Sequence, residues 1–115
     1  MSDDEALSDL TDVLNDQYCR RILAEASRNA VSATELAAAI EADPSTLYRR
    51  LDRLEALDLV SAELTYRRDG HHYRRYRTRL RRVTVELADG EFRLAVDRVS
   101  TDPADRLTDL FEELR

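Results

Sequence analysis

The sequence predicts a single α+β domain, helices first and strands after, and three observations carry that prediction. Apolar residues recur at helical spacing through the first half of the chain, from Leu7 to Leu54. Two Asp-Gly pairs, Asp69-Gly70 and Asp89-Gly90, interrupt runs in which apolar and polar residues alternate. A last apolar stripe at helical spacing follows Asp102-Pro103. At 115 residues and 13.3 kDa the chain has the size of one domain, 1–115.

Leu7, Leu10, Val13 and Leu14 predict a first amphipathic helix over about 5–15. Asn15 or Asp16 can cap a second, whose inner face is Cys19, Ile22, Leu23 and Ala26. Ser32 and Glu35 form a capping box that opens a short helix with Ala33, Leu36, Ala37 and Ile40 inward, ending near Ala42. Asp43 and Pro44 restart a helix as N-cap and first helical residue, because proline lacks an amide that would go unsatisfied there. Leu47, Leu51 and Leu54 face inward from this helix, about 44–57, and arginines mark its outer face.

Val60, Ala62, Leu64 and Tyr66 alternate with polar residues ahead of Asp69-Gly70, which predicts a hairpin over 60–78. A two-residue turn there sets Tyr66 against Tyr73 and Arg67 against His72. Tyr73 and Tyr76 then differ in parity, so a bulge or a solvent-facing tyrosine is expected. Around Asp89-Gly90, over 79–99, the register sets Leu87 against Phe92, Val85 against Leu94 and Val83 against Val96. Its other face pairs Glu86 with Arg93 and Arg82 with Asp97, and a wrong register would scramble both faces. No Gly, Pro or Asn separates the hairpins from His71 to Ala88, so they are expected to form one bent meander. Leu107, Leu110, Phe111 and Leu114 complete a C-terminal helix over 102–115, either a cover for its own hairpin or half of a twofold interface.

Composition narrows the function. Apolar residues at 43% and charged residues at 37% describe a globular chain, and no apolar run approaches the roughly 18 residues of a membrane span. The acidic start MSDDEALSDL does not resemble a secretory leader, and one cysteine cannot form an internal disulfide, so a cytoplasmic location is expected. Two Gly, two adjacent His and no Trp leave little for a phosphate loop, triad or metal cage, so the expectation is a binding module with no catalysis and no cofactor. No small-molecule ligand can be inferred.

All 18 basic residues are Arg, against 24 acids of which 14 are Asp, and the pI is about 4.9. That balance points to an extreme halophile, whose dense acidic surface keeps it soluble in brine, with a GC-rich genome as the plainer explanation of the arginine. The net charge of −6 hides a partition: −7 over residues 1–48, +6 over 49–82 and −5 over 83–115. Residues 66–82 alone hold eight Arg and one acid. A localised basic patch between acidic flanks suits a polyanion.

Two short helices across a three-residue turn, followed at once by a hairpin, make a winged helix-turn-helix. The stretch STLYRRLDRLEALDLV, 45–60, resembles the recognition-helix-to-wing region of ArsR-type winged helix-turn-helix transcription regulators. That pattern runs Ser-Thr-apolar-x-Arg-x-Leu-x-x-Leu-x-x-x-Gly-Leu-Val, and Ser45, Thr46, Leu47, Arg49, Leu51, Leu54, Leu59 and Val60 match it. NDQYCRRILAEA resembles the helix of that family which carries Arg-Arg-Ile-Leu. The resemblance covers about 7–78, and the added hairpin and last helix resemble a haloarchaeal, archaeal variant. It implies regulation of transcription by a homodimer on double-stranded DNA. Asp58 replaces the usual Gly, and the helix from Ser32 to Ile40 lacks the Cys-x-Cys of metal-sensing members, which excludes sensing by that route. His71 and His72 cannot substitute, since strand neighbours point to opposite faces.

Arg49 and Arg53, one turn apart, are candidates for guanine edges or phosphates, with Arg50 beside them; the plainer reading is a solvated face balanced by Asp52 and Glu55. Pro44, Ser45 and Thr46 at the helix N-terminus suit phosphates or base edges, or merely cap. Tyr48 either reaches a thymine methyl or packs under the wing. Arg67, Arg68, His71, His72 and Arg74 at the wing tip suit the backbone or minor groove, with RNA or an acidic protein as other partners. Cys19, on an apolar face beside Arg20 and Arg21, is a core residue or a redox-sensitive thiol, depending on exposure. The rival reading is a protein-interaction adaptor on the same scaffold.

Overall fold

The computed structural model describes residues 3–100. Helix α1, Asp4–Asn15, buries Leu10 and Val13 and ends at Asp16, whose extended backbone turns the chain. The Asp16 carboxylate then caps α2, Gln17–Arg28, accepting from the Cys19 N–H at 3.0 Å. One side of α2 buries Cys19, Ile22, Leu23 and Ala26. A two-residue strand β1, Val31–Ser32, leads into α3, Ala33–Ile40, where both halves of the Ser32–Glu35 capping box are made. Glu41 adopts the left-handed conformation (φ 53°) and closes α3 with a bond from its N–H to the Ala37 carbonyl. Asp43 caps α4, Pro44–Ala56, accepting from the Thr46 N–H at 2.7 Å. Arg21 locks the intervening turn by donating to the carbonyls of Ile40 and Ala39, at 3.0 and 3.3 Å.

The core lies where these helices meet the sheet: Ile22, Leu36, Ile40, Leu47, Leu51, Leu54 and Leu59 are all fully buried. Asp58 is left-handed (φ 59°), as its match to the family glycine implies. Its N–H donates to the Glu55 carbonyl and that of Leu59 to Leu54, so α4 ends in a Schellman motif. The strain is compensated: Arg79 Nη1 binds the Asp58 carboxylate at 2.6 Å, and Arg98 donates to the carbonyls of Asp58 and Leu57 at 2.8 and 3.1 Å.

Strands β2, Val60–Tyr66, and β3, His72–Thr78, pair antiparallel, and β1 adds to the far edge of β3 through Val31↔Tyr76 and Ser32↔Arg75. A strand this short leaves no periodic signal in the sequence. The register of the wing corrects the sequence expectation: Tyr66 lies opposite His72, Thr65 opposite Tyr73, and Arg67 closes the loop with His71. The reason is the turn. Arg67, Asp69 and Gly70 (φ 87°) build a type I turn with a left-handed glycine, its bonds running from Gly70 N–H to Arg67 O and from Arg67 N–H to His71 O. The loop is therefore three residues, 68–70, and every partner shifts by one. Tyr76 consequently faces the core, while Tyr73 lies half-buried on the opposite face with no bulge between them.

The second hairpin, β4 (Leu80–Ala88) and β5 (Glu91–Arg98), has the expected register at every pair, with Asp89 and Gly90 both at positive φ. It is not one meander with the wing: three strands, β1-β3-β2, form one sheet and β4-β5 another. Arg79 makes the break. Its N–H and that of Leu80 both turn to the Leu59 carbonyl, and its own carbonyl accepts from Val99. The molecule is an α+β winged helix-turn-helix with an additional hairpin. The C-terminal helix expected over 102–115 lies outside the described residues.

Candidate nucleic-acid interface

The exposed side of α4 is set by its buried side. With Leu47, Leu51 and Leu54 committed to the core, Ser45, Tyr48, Arg49 and Asp52 face outward along the first three turns. Ser45 donates to Asp43 at 3.1 Å, and bonds from the Thr46 N–H and these hydroxyls hold the Asp43 carboxyl below the ordinary aspartate range, with Arg49 adding to the effect. Pro44, Ser45 and Thr46 thus cap the helix and also sit at its outer N-terminal rim. Arg49 is exposed and makes no hydrogen bond or ion pair to any described residue.

Its neighbours differ. Arg50 turns back to Asp16, Nε to Oδ2 at 2.9 Å, tying α4 to the cap of α2. Burial disfavours the Asp16 charge, but the Cys19 amide and the Arg50 guanidinium outweigh it and lower the carboxyl's pKa. Arg53 leans toward Asp9 and Asp12 of α1, at 3.7 and 3.9 Å. Arg50 thus turns away from the outer aspect of Arg49, whereas Arg53, one turn beyond Arg49, keeps its side chain 48% exposed and makes only these long contacts. Successive helical residues point about 100° apart, and charge-rich sequence alone does not say which arginine meets an acid from another helix.

Opposite α4 stands the wing. A cleft of about 470 Å³ is lined by Tyr48 and Asp52 of α4, Ser32 and Thr34 at the start of α3, and Arg67, His72, Tyr73, Arg74 and Tyr76 of the wing. Tyr48 is 51% exposed and borders this cleft, so it both neighbours the wing and remains open to a ligand. The Arg67 guanidinium stacks over the Tyr73 ring at 4.7 Å, and Tyr66 meets His72 edge to face at 4.5 Å. Burial raises the pKa of the Tyr76 hydroxyl, and the nearby Arg74 guanidinium opposes the rise. Arg68 and His71 are exposed at the tip.

The basic run over 66–82 is divided by the fold. Arg67, Arg68 and Arg74 belong to the tip, whereas Arg75 donates to the Ala30 carbonyl at 3.0 Å and Arg79 clamps Asp58. Arg77 is half-buried, its Nε without a partner. The wall contributed by Ser32 and Thr34 carried no signal of a site, since Ser32 reads only as a helix cap and Thr34 stands in the first turn that it opens. Asp52, noted in the sequence only as a balancing charge, also lines the cleft.

Cys19 is a core residue. It is 2% exposed, and burial, reinforced by the Asp16 carboxylate, pushes its thiol up to about 11. The exposure on which the two readings turned therefore favours the core residue over the redox-sensitive thiol.

No helix among the described residues is long and apolar enough to cross a membrane. A helix-turn-helix domain family matches residues 14–61, which takes in α2, α3, α4 and the start of β2. That match and the hairpin directly after α4 define the class: a winged helix-turn-helix, the fold of DNA-binding regulators. No curated protein matches the chain.

Proposed function

We propose that this chain is a sequence-specific, double-stranded-DNA-binding transcriptional regulator of the ArsR type in a salt-adapted, haloarchaeal form. It acts in the cytoplasm as a homodimer and carries out no catalysis. α4 enters the major groove and the wing rests on backbone or minor groove. The observation that carries this reading is the open guanidinium of Arg49 on the exposed side of α4, next in the chain to Tyr48, which shares one cleft with Arg67 and Arg74 of the wing. Arg49 reads a guanine through O6 and N7, and Tyr48 contacts a neighbouring base or thymine methyl. Pro44, Ser45 and Thr46 bring the helix N-terminus to a phosphate. Arg67, Arg68, His71, His72 and Arg74 hold the backbone. Arg53, one turn from Arg49, contacts a second base edge or a phosphate, and Arg50, tied to Asp16, stands beside them.

The test uses duplexes selected from a random library, with scrambled controls, in binding titrations. Arg49→Ala should relax specificity at one base pair and cost about 1–3 kcal/mol on the selected site. Arg68→Ala should weaken all duplexes alike and reduce the salt slope by about 1. Intact affinity after both changes together overturns the reading. A folded protein that binds no duplex at all belongs instead to the adaptor class.

A further inference from the structure

We infer that Asp52 is a specificity-determining residue of the α4 face, accepting a hydrogen bond from the exocyclic amine of a cytosine in the major groove. The inference deepens the DNA reading proposed above and rests on it. Asp52 is exposed three residues after Arg49 and four after Tyr48, so the three share one aspect of α4. With Tyr48 it lines the cleft that Arg67, Tyr73 and Arg74 border from the wing. Arginines surround it, yet it forms no hydrogen bond or ion pair with any described residue. Arg53 leans to Asp9 and Asp12 instead, Arg50 binds Asp16, and the Arg67 guanidinium lies over the Tyr73 ring.

Chemistry selects the base. A carboxylate in the middle of a DNA-binding face costs affinity for every sequence, because it stands against phosphates and offsets the arginine charge. Nor does Asp52 offset that cost within the fold, as Asp16 does by pairing with Arg50 at 2.9 Å. An ionised carboxylate accepts hydrogen bonds and donates none. In the major groove guanine O6 and N7 and thymine O4 are acceptors that repel it, and the donors are the amines of cytosine N4 and adenine N6. Adenine sets its N7 acceptor beside that amine, which suits an amide side chain better than a carboxylate, whereas cytosine presents no acceptor of its own there. Three residues of helix rise about 4.5 Å, on the order of one base step of roughly 3.4 Å. The cytosine therefore lies within about two base pairs of the guanine assigned to Arg49.

Binding titrations of the full chain at one KCl concentration, on the duplex selected by the wild type and on every single-base-pair replacement of it, test the assignment. The wild type should prefer cytosine at one pair by roughly fivefold or more. Asp52→Ala should abolish that preference, tighten binding to scrambled duplexes and keep the preference at the pair that Arg49→Ala relaxes. Asp52→Asn should move the preference at the cytosine pair to adenine, a change that loss of packing does not produce. Circular dichroism should be unchanged in both variants, since the side chain is exposed. An Asp52→Ala profile identical to wild type at every pair overturns the inference and leaves the DNA reading standing. Loss of preference at the Arg49 pair as well overturns it too, Asp52 then acting by positioning Arg49. A folded wild type that binds no duplex refutes the DNA reading, and this inference with it.

Discussion

Arg49 and Arg50 are adjacent in the chain, and their guanidiniums have opposite environments. Arg49 is open to solvent, so its removal should change DNA specificity while leaving stability within about 0.5 kcal/mol of wild type. Arg50 completes the hydrogen bonding of Asp16, so Arg50→Ala should cost about 1–3 kcal/mol in urea unfolding and leave base preference unchanged. Asp16 adds a pH dependence whose sign follows from its lowered pKa. The charged carboxylate is the form the fold favours, so its contribution is present above the unfolded value of about 4 and is lost as pH falls through the folded value. Acid titration of stability should therefore show a shallower decline below pH 4 for Asp16→Asn than for the wild type. A variant that declines as steeply would remove Asp16 from the account.

Elements of this fold are held at their ends. Asp16, Ser32 and Asp43 each cap the helix that follows, and Arg21 and Arg98 donate to the carbonyls that end α3 and α4. The corner after α4 is the most constrained, because Asp58 is left-handed while its carboxylate binds Arg79. Asp58→Gly relieves the backbone and loses an exposed ion pair, two small effects of opposite sign, so stability should stay within about 1 kcal/mol. Asp58→Val loses the pair and places a β-branched residue in the left-handed region, at a cost of about 1–2 kcal/mol or more. Urea unfolding of the two variants should separate them in that order. Equal stability would show that backbone conformation at this corner is not limiting.

Across the whole molecule the charges are partitioned as the sequence lays them out, with acids on α1 and arginines on the wing. The −7 and −5 flanks repel within themselves in dilute buffer, and at about 1 M ionic strength screening confines that repulsion to roughly 3 Å. Folding should therefore improve with salt, with circular dichroism showing loss of structure in dilute buffer and its recovery in molar KCl. DNA affinity should persist there as well. Counterion release weakens phosphate contacts as salt rises, but screening also lifts the repulsion between phosphates and acidic flanks, and the Arg fork on a base edge survives at contact distance. A protein well folded in dilute buffer whose binding vanishes well below molar salt would refute the salt-adapted form and leave the fold untouched.

The sequence by itself determined helices α1 to α4, the caps of α2, α3 and α4 and the register of the second hairpin, because each is a local matter. A cap needs a side chain three residues from an amide, and the Asp89-Gly90 turn aligns apolar pairs on one face and opposite charges on the other. Only the tertiary structure decided the rest. The wing register depended on whether Asp69-Gly70 spans two residues or three, and the pairing of its residues allowed either. The split of the strands into two sheets depended on Leu59, twenty residues before Arg79, offering its carbonyl at the break. The engagement of Arg50, Arg75 and Arg79 within the fold depended on the Asp16 and Asp58 carboxylates and the Ala30 carbonyl, each distant in sequence from its arginine. Charge and periodicity are properties of a segment, whereas a partner is a property of the fold, since only packing brings residues distant in sequence within a few ångströms of one another.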